Sequence, residues 1–299
     1  MRRRPVLLWA PFHPGLLCAQ PYSLASAQAS GVSLHVLRDE RGGLEAAVAP
    51  EHGGELSSLR VRYRGQWIET LYLVRDYSPR EGWPGKAPHL WPATGNNFPP
   101  DVERRVKAGE RVDLGGYDLA GRRYAMPSHG FARHLPWRVE RKGAGRRQAS
   151  ILLSLEDTAE TLRMYPFRFR HTVEYTVARG ELRIRYRVRS SRANACQMFF
   201  SLGNHITFVT PLVPGSQPGD VVLTTPLCQE ILKTGYSIPT GEIRQWPHAS
   251  GIRLSAIPPR VAVSLTGCAP KEPYLVLSDP QGLSLRISHR ASRVPPQPV

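Results

Sequence analysis

The sequence predicts an all-β protein built as a large antiparallel β-sandwich. Many short segments alternate apolar and polar residues, which is typical of a strand with one buried face. Turns that contain glycine separate these segments, and 28 prolines and 26 glycines suit a fold with many turns. No segment keeps the period of an amphipathic helix over ten residues. Together these three observations favour strands joined by tight turns.

Four hairpins carry the clearest signal, because each pairs two alternating segments across a short turn. Their arms are, in chain order, residues 33–38 with 44–48, 55–63 with 66–72, 113–119 with 122–125, and 168–177 with 181–188. Single strands are predicted at residues 197–200, 221–224, 260–266, 274–278 and 283–287. Such a series describes a sandwich or barrel. We expect binding residues in the longest irregular stretches, residues 76–107, 211–217 and 246–251.

The ends of the chain bound the predicted domain. The sequence has no internal repeat and no stretch with the composition of an interdomain linker. A single domain is therefore predicted over residues 30–289, with a disordered tail at 290–299. Residues 1–29 are expected to be a signal peptide or a disordered N-terminus. Arginines at 2–4, an apolar stretch and Ala27-Gln28-Ala29 resemble a leader, although Pro11 and Pro14 interrupt the stretch. A cleaved leader would mean a periplasmic or secreted protein, and an uncleaved one a cytoplasmic protein.

The charge, the apolar content and the cysteine spacing indicate which classes of partner to expect. The formal net charge is +16, but the basic residues are spread along the chain without a nucleic-acid motif, so we predict no nucleic-acid partner. The alternating arginines between 183 and 189 indicate one solvated strand face. No run of about 18 apolar residues is present, so no membrane partner is predicted. Cys18, Cys196, Cys228 and Cys268 lack metal-ligand spacing and are interpreted as unpaired thiols.

Two histidine motifs suggest where chemistry occurs. His205 lies in Gly203-Asn204-His205-Ile206-Thr207-Phe208, where the flanking residues predict a side chain at a strand end facing a cleft. His129 lies 76 residues earlier, in Ser128-His129-Gly130-Phe131-Ala132-Arg133. Imidazoles exchange protons near neutral pH, so two of them on a β scaffold suggest general acid/base catalysis on a small polar substrate.

These two motifs and three further segments, in this order, resemble the aldose 1-epimerase (galactose mutarotase-like) family. The segments are LEAAVAPEHGGELSSL at 44–59, LWPATG at 90–95, HGFAR at 129–133 with Trp137 behind it, YPFRF at 165–169, and LGNH at 202–205 with Phe208. The resemblance covers residues 33–208 well and residues 211–287 loosely.

The resemblance implies a sandwich of galactose mutarotase type (a supersandwich) that holds a sugar in an open cleft. The implied reaction interconverts the α and β anomers of a free hexose by acid/base ring opening, without metal or cofactor, in a monomer or homodimer. By family pattern His205 is the general acid, and His129 binds or polarises the sugar. The remaining implied substrate-binding residues are Arg133, Asn97, Asn204, Phe131 and Trp91, with Trp137 and Phe208 as further apolar walls. His52, His134, His171 and His248 are interpreted as incidental.

The chain departs from the family pattern at two places. Family members place an arginine that contacts sugar hydroxyls where this chain has Gly95-Asn96-Asn97-Phe98, so Asn97 is expected to anchor the sugar without a charge. The family's general base is a glutamate near the C-terminus, and no glutamate follows Glu272 here. Two alternatives therefore stay open beside the epimerase. One is a carbohydrate-binding protein that lacks the base, and the other is a hexose-6-phosphate 1-epimerase, in which arginines hold a phosphate.

Overall fold

The structure is a computed structural model that describes residues 20–72, 77, 86–99, 101–112, 115–248, 250–259, 261–268 and 272–290. Its helices are α1 (Val102–Lys107) and α2 (Ala159–Met164), with 3-10 turns at Ala132–His134, Pro218–Asp220 and Leu254–Ala256. Its strands are β1 (Tyr22–Ala29), β2 (Val32–Asp39), β3 (Leu44–Ala49), β4 (Glu55–Tyr63), β5 (Gln66–Glu69), β6 (His89–Leu90), β7 (Gly116–Leu119), β8 (Arg122–Ala125), β9 (Arg138–Ala144), β10 (Ala149–Glu156), β11 (Phe169–Ala178), β12 (Glu181–Ser190), β13 (Gly203–Asn204), β14 (Val222–Thr224), β15 (Gln229–Lys233), β16 (Pro239–Gln245), β17 (Ile252–Arg253), β18 (Leu265–Thr266), β19 (Tyr274–Ser278) and β20 (Ser284–Ser288).

Two antiparallel sheets form the body of the sandwich. In one sheet β1 to β5 lie side by side in chain order, and in the other β12, β11, β10 and β9 do the same. Alternate residues of β11 are buried, among them Val173 and Tyr175, and they join one core with Leu37 and Leu56 of the first sheet. Burial of these facing apolar sides is the main stabilising term of the fold. The all-β sandwich that the sequence predicts is confirmed.

A short ladder of β6 and β13 carries the segment of interest. In this antiparallel pair Asn204 lies opposite His89. On its other side the same segment is tied to the first sheet by an isolated antiparallel bridge between Ala87 and Leu56. The remaining strands form three further sheets, in the orders β17-β14-β19-β20, β16-β15-β18 and β7-β8. The β6–β13 ladder thus extends the first sheet sideways and presents one face away from the core.

The four predicted hairpins correspond to β2–β3, β4–β5, β7–β8 and β11–β12. Residues 197–200, by contrast, form no strand. Phe199 and Phe200 are exposed there, and the backbone oxygen of Phe199 accepts a hydrogen bond from the Tyr165 hydroxyl. From predicted strand 260–266 only Leu265–Thr266 is a strand, and residue 260 lies outside the described residues.

The N-terminal boundary differs from the expectation of a leader or disordered segment up to residue 29. Strand β1 pairs with β2 along its whole length, from Tyr22 opposite Asp39 to Ala29 opposite Val32. The alanines at 27 and 29 therefore lie within a sheet. Residues 1–19 and 291–299, which carry the rest of the predicted leader and almost all of the predicted tail, lie outside the described residues.

The interpretation of the cysteines as unpaired thiols is wrong for two of them. Cys228 and Cys268 form a disulfide across 40 residues of sequence, with their Cα atoms 5.5 Å apart. The pairing of β15 with β18 brings them together, because Gln229 lies opposite Thr266. Spacing along the chain does not show such a cross-strand neighbour. Cys196 is a free, exposed thiol, and Cys18 lies outside the described residues.

Removal of this disulfide is expected to destabilise the protein. A Cys228→Ser/Cys268→Ser variant should lose about 2–4 kcal/mol of unfolding free energy, because the unfolded chain regains the entropy of an open 40-residue loop. Urea denaturation at fixed pH measures the change. Cys196→Ser, which removes only the exposed thiol, is the matched control and should unfold like the wild type. Equal midpoints for the wild type and the double variant would contradict the prediction.

Candidate functional site

The structure brings the two histidine motifs together. The rings of His129 and His205 are 6.2 Å apart between centroids and meet edge to face. His129 has a positive φ of 65° in a tight turn, and its backbone N–H donates to the carbonyl of Gly95 at 2.9 Å. That hydrogen bond places the loop with Asn97 directly beside this turn. Residues 76 apart in sequence therefore share one surface.

Strand alternation explains why His205 faces outward. Asn204 points into the sandwich, where its side-chain nitrogen donates to the Tyr186 hydroxyl at 2.6 Å. The next side chain must point the opposite way, because successive strand residues alternate between faces. The backbone N–H of His205 donates to the carbonyl of Pro88 at 3.1 Å, so the extended pairing continues to this residue. Its imidazole is consequently exposed, whereas Asn204 acts from beneath as a support.

Arg133 completes this group of cationic and imidazole side chains. Its guanidinium donates to the backbone oxygen of Ser128 at 3.3 Å and to the ring nitrogen of His134 at 3.0 Å. Its backbone packs against Gly53, where an added Cβ would lie 2.5 Å from the Arg133 carbonyl oxygen, and Gly53 has φ +67°. Only glycine fits that position. The turn before β4 is thereby held against the segment that carries Arg133.

The surroundings lower the pKa values of both imidazoles. Burial of part of the ring lowers the pKa of His129, and the charges of Arg133 and His205 lower it further. The pKa of His205 is lowered first by burial and then by the Arg133 guanidinium. A histidine whose pKa lies below its ordinary value of about 6.5 is mainly uncharged at pH 7. Each ring then offers one N–H donor and one acceptor nitrogen.

The aromatic residues expected to line the sugar site lie in the core instead. Trp91 is 0% exposed and Phe131 2% exposed, and their rings contact each other edge to face at 5.5 Å. Trp137 is also buried, with its indole N–H donating to the carbonyl of Ala132 at 3.0 Å. Because Trp91 follows His89 at a spacing of two, both side chains point into the sandwich. Their assignment as apolar walls is corrected on this ground. Phe208 is half-buried against the same core.

Asn97 lies in the loop beside His129 and is half-buried. Its backbone forms an isolated bridge with Gly115, and its side-chain nitrogen is buried without a hydrogen-bond partner among the described residues. The neighbouring Phe98 ring contacts Tyr236 at 5.5 Å. A buried amide donor without a partner is costly, so this nitrogen is suited to a ligand oxygen or a water.

Sequence reasoning missed a buried ion pair between β4 and the segment that precedes β6. Lys86 is 4% exposed, and its Nζ lies 3.2 Å from Oε1 of Glu55, which is 7% exposed. The ammonium also lies 3.2 Å from the ring centroid of Tyr77, whose ring contacts His52 at 4.9 Å. The backbone N–H of Thr207 donates to the carbonyl of Lys86 at 2.8 Å. The available signal was a charged residue, Glu55, at the start of an alternating segment that was predicted to be a strand.

A second missed feature is a pair of imidazoles beneath the site. His89 and His171 are fully buried with ring centroids 4.6 Å apart, and none of their four ring nitrogens has a hydrogen-bond partner among the described residues. Burial lowers the pKa of His89 to about 3. Burial, together with His89, places the pKa of His171 well below its usual range. Both rings are therefore neutral components of the core.

The C-terminal carboxylates are occupied in structural contacts. Asp279 is buried, and it accepts hydrogen bonds from the backbone of Val213 at 3.0 Å, the hydroxyl of Ser216 at 2.6 Å and the backbone of Gln281 at 3.0 Å. Glu272 forms an ion pair with Arg290. Asp279 therefore holds two loops together. Among the side chains described, Arg133 lowers the pKa of both His129 and His205, and His205 lowers that of His129.

Two kinds of feature are absent from the described ranges. No helix there is long and apolar enough to cross a membrane. In the same ranges, no group of three or more His, Cys, Asp and Glu side chains is arranged to hold a metal ion.

Solved structures with the same architecture are similar to this chain. The protein Slr1438 from Synechocystis sp. PCC 6803 superposes with a TM-score of 0.62 and 23% identity, over 91% of this chain and 84% of that one. A galactose mutarotase related enzyme from Lactobacillus acidophilus gives a TM-score of 0.61 and 19% identity, over 89% and 84%. A galactose mutarotase-like protein from Clostridium acetobutylicum gives 0.61 and 16%, over 89% and 83%. At these identities the likeness shows the fold.

The sequence itself carries the assignment to a family. No curated protein matches the chain significantly. The family model for aldose 1-epimerase matches residues 35–256, which include both histidine motifs, Arg133 and the β6–β13 ladder. By this match over most of its length, the chain belongs to the aldose 1-epimerase family.

Proposed function

We propose that the protein is an aldose 1-epimerase that interconverts the α and β anomers of a free hexose. The observation that supports this function best is the meeting of His129 and His205 beside Arg133 on an exposed face. A pyranose offers several oxygens as hydrogen-bond partners. One imidazole can act on them as an acid, the second can donate or accept a hydrogen bond, and the guanidinium can donate. The aldose 1-epimerase family, to which the chain belongs, acts on small sugar substrates.

The reaction follows from proton transfer at two oxygens. Protonated His205 donates to the ring oxygen while a base removes the proton of the anomeric hydroxyl, and the bond between C1 and the ring oxygen breaks. Rotation about the C1–C2 bond of the open aldehyde turns its other face to the hydroxyl. Closure with the protons returned gives the other anomer. His129 and Arg133 hold sugar oxygens so that rotation occurs within the site.

Polarimetry of freshly dissolved α-glucose and α-galactose tests this proposal. The protein should accelerate the approach to anomeric equilibrium in proportion to its concentration, without changing the final rotation. Glucose 6-phosphate in the same assay, followed by NMR, distinguishes the phosphorylated substrate, which would react faster if Arg133 served a phosphate. Folded protein that binds sugar by calorimetry but leaves the rate unchanged would instead support the carbohydrate-binding alternative. Folded protein that neither binds sugar nor accelerates mutarotation would lead us to reject the proposal.

The pH dependence should reveal the role of Arg133. If His205 acts as the acid, kcat/KM is highest while its imidazole is protonated and falls as pH rises through its pKa, which lies below about 6.5. Arg133→Met removes a positive charge that lowers this pKa, so the alkaline limb should move to higher pH by a fraction of a unit to about one unit. Arg133→Lys keeps the charge and should leave the limb near its wild-type position. Identical limbs for both variants would contradict the prediction.

A further inference from the structure

A groove opens between helix α1 and the turn that follows β15, next to the loop that carries Asn97. Its volume is about 460 Å³. The lining residues are Asp101, Glu103, Arg104, Lys107, Thr234 and Ile238. Ligand sites commonly enclose about 300–1,000 Å³, so this groove has room for a small molecule. The epimerase reaction proposed above makes no use of it.

Two contacts hold the walls of this groove together. The Oε1 atom of Glu103 accepts a hydrogen bond from the backbone N–H of Gly235 at 3.2 Å, which joins α1 to the turn after β15. The Phe98 ring meets the Tyr236 ring edge to face, with the centroids 5.5 Å apart. Val102 of α1 is fully buried and anchors the helix to the body of the protein. These contacts fix the two walls relative to each other.

The chain leads directly from the histidines to this groove. His129 donates its backbone N–H to the carbonyl of Gly95 at 2.9 Å, and Asn97 and Phe98 come two and three residues later. An extended chain advances at most about 3.6 Å per residue, so the Cα atom of Phe98 lies within about 11 Å of that of Gly95. Phe98 in turn contacts Tyr236 in the turn after β15. The groove and the histidines are therefore neighbours.

The chemistry of the walls suits a neutral sugar ring. Two carboxylates and two cationic groups line the groove, so their formal charges cancel, although the whole chain carries +16. An anion therefore gains little from the local charge. Sugar hydroxyls both donate and accept hydrogen bonds, and the walls offer partners of both kinds. Among the described residues Lys107 has no ion-pair partner, and Ile238 adds an apolar surface for the C–H groups of a ring.

We propose that this groove is a second sugar subsite and that the protein acts on the reducing-end ring of a disaccharide or longer oligosaccharide. The inference rests on the proposed epimerase function and names its substrate class. The ring with the free anomeric carbon lies at His129 and His205, and the ring linked to it extends past Asn97 into the groove. There Lys107 donates to its hydroxyls and Ile238 contacts its apolar face. The second ring contributes through binding and takes no part in proton transfer.

The first test compares maltose, cellobiose and lactose with glucose in the polarimetric assay. At least one disaccharide should show a kcat/KM about tenfold above that of glucose, because the second ring adds contacts that glucose lacks. The gain should appear as a lower KM, since these contacts are the same before and during the reaction. Equal or lower values for all three disaccharides would overturn the inference.

The second test locates the bound ring. Ile238→Trp places a large side chain in the groove, so the preference for the disaccharide over glucose should fall by about tenfold. Ile243→Trp, at an exposed position of β16 that does not line the groove, is the matched control and should keep the wild-type preference. Circular dichroism selects the folded variants for kinetics. A folded Ile238→Trp protein with the wild-type preference would overturn the inference.

A pair of substitutions at the exposed Lys107 tests the same wall without added bulk, and it serves also if Ile238→Trp does not fold. Lys107→Met removes the ammonium donor and should lower the preference for the disaccharide by about threefold. Lys107→Arg keeps a cationic donor and should restore most of it. Equal preferences in the wild type and Lys107→Met would count against the subsite as described and overturn the role of this wall.

Calorimetry separates this inference from the proposed function. A folded protein that is inactive on every sugar would remove the epimerase function. If that protein bound a disaccharide more tightly than glucose, and Ile238→Trp abolished the difference, the groove would still be supported as a sugar subsite. An active protein without a preference for any disaccharide would remove only the subsite.

Discussion

His205→Gln is expected to lower kcat for mutarotation by about 10²–10⁴-fold, because the ring oxygen then leaves without a proton donor. The imidazole is exposed, so the substitution should change the unfolding free energy by no more than about 0.5 kcal/mol. Polarimetry at substrate saturation measures kcat, and urea denaturation measures stability on the same sample. Large loss of activity with unchanged stability is the expected combination.

Two comparisons sharpen this experiment. His129→Asn keeps a residue type that accepts the positive φ of 65° and retains a hydrogen-bonding side chain, so we expect a larger effect on KM than on kcat. His289→Gln replaces an exposed histidine after β20 and should behave like the wild type. Full activity of folded His205→Gln would contradict its role as the acid.

Acid is expected to unfold this protein through its buried imidazoles. His89 has a folded-state pKa of about 3 and an unfolded value of about 6.5, so the unfolded chain binds more protons between these limits. Stability is therefore fully present above about pH 6.5 and falls as pH decreases toward 3. For His89 alone the loss at pH 4 is about 3 kcal/mol. His171, with its pKa lowered in the same direction, adds to this loss.

The described groups that face the pair are neutral and do not offset this cost. From the second sheet the rings face Tyr186, whose pKa burial raises to about 12, and the other neighbours are the neutral indoles of Trp91 and Trp137. His171→Phe, which places a ring without titratable nitrogens in the same space, should flatten the dependence of unfolding free energy on pH. Urea denaturation at pH 7 and pH 5 measures that slope. Equal slopes for wild type and His171→Phe would contradict the prediction, and His289→Gln is the control.

The fold was predictable where alternation was strong. The arms of β11 and β12 alternate over ten residues each, and their hairpin follows directly from the sequence. Strand β16 is exposed along its whole length, so it leaves no period-two pattern to detect. Strand β9 is mainly charged and small, and sequence analysis missed it for the same reason. Strand β1 was not predicted, because its alanines at 27 and 29 resemble the cleavage site of a signal peptide.

The functional site, like the fold, was predictable from the sequence only in part. The imidazoles at 129 and 205 stand in motifs that the sequence shows directly, and the structure places them side by side. Glu55 and Lys86 belong to no local motif, because their relation exists only through the Leu56–Ala87 bridge. The aromatic residues Trp91 and Phe131 were misplaced, because a motif does not report which face of a strand its members occupy.

The arginine row of β12 has a consequence for behaviour in concentrated solution. This strand ends the order of the second sheet within the described part of the chain, and Arg183, Arg185, Arg187 and Arg189 project from it at every second position. An outer strand with free backbone groups can recruit a strand from another molecule, and like charges along it oppose such stacking. Screening of this repulsion is nearly complete beyond about 10 Å at 0.1 M salt. Added salt should therefore promote aggregation of the protein, which light scattering would detect.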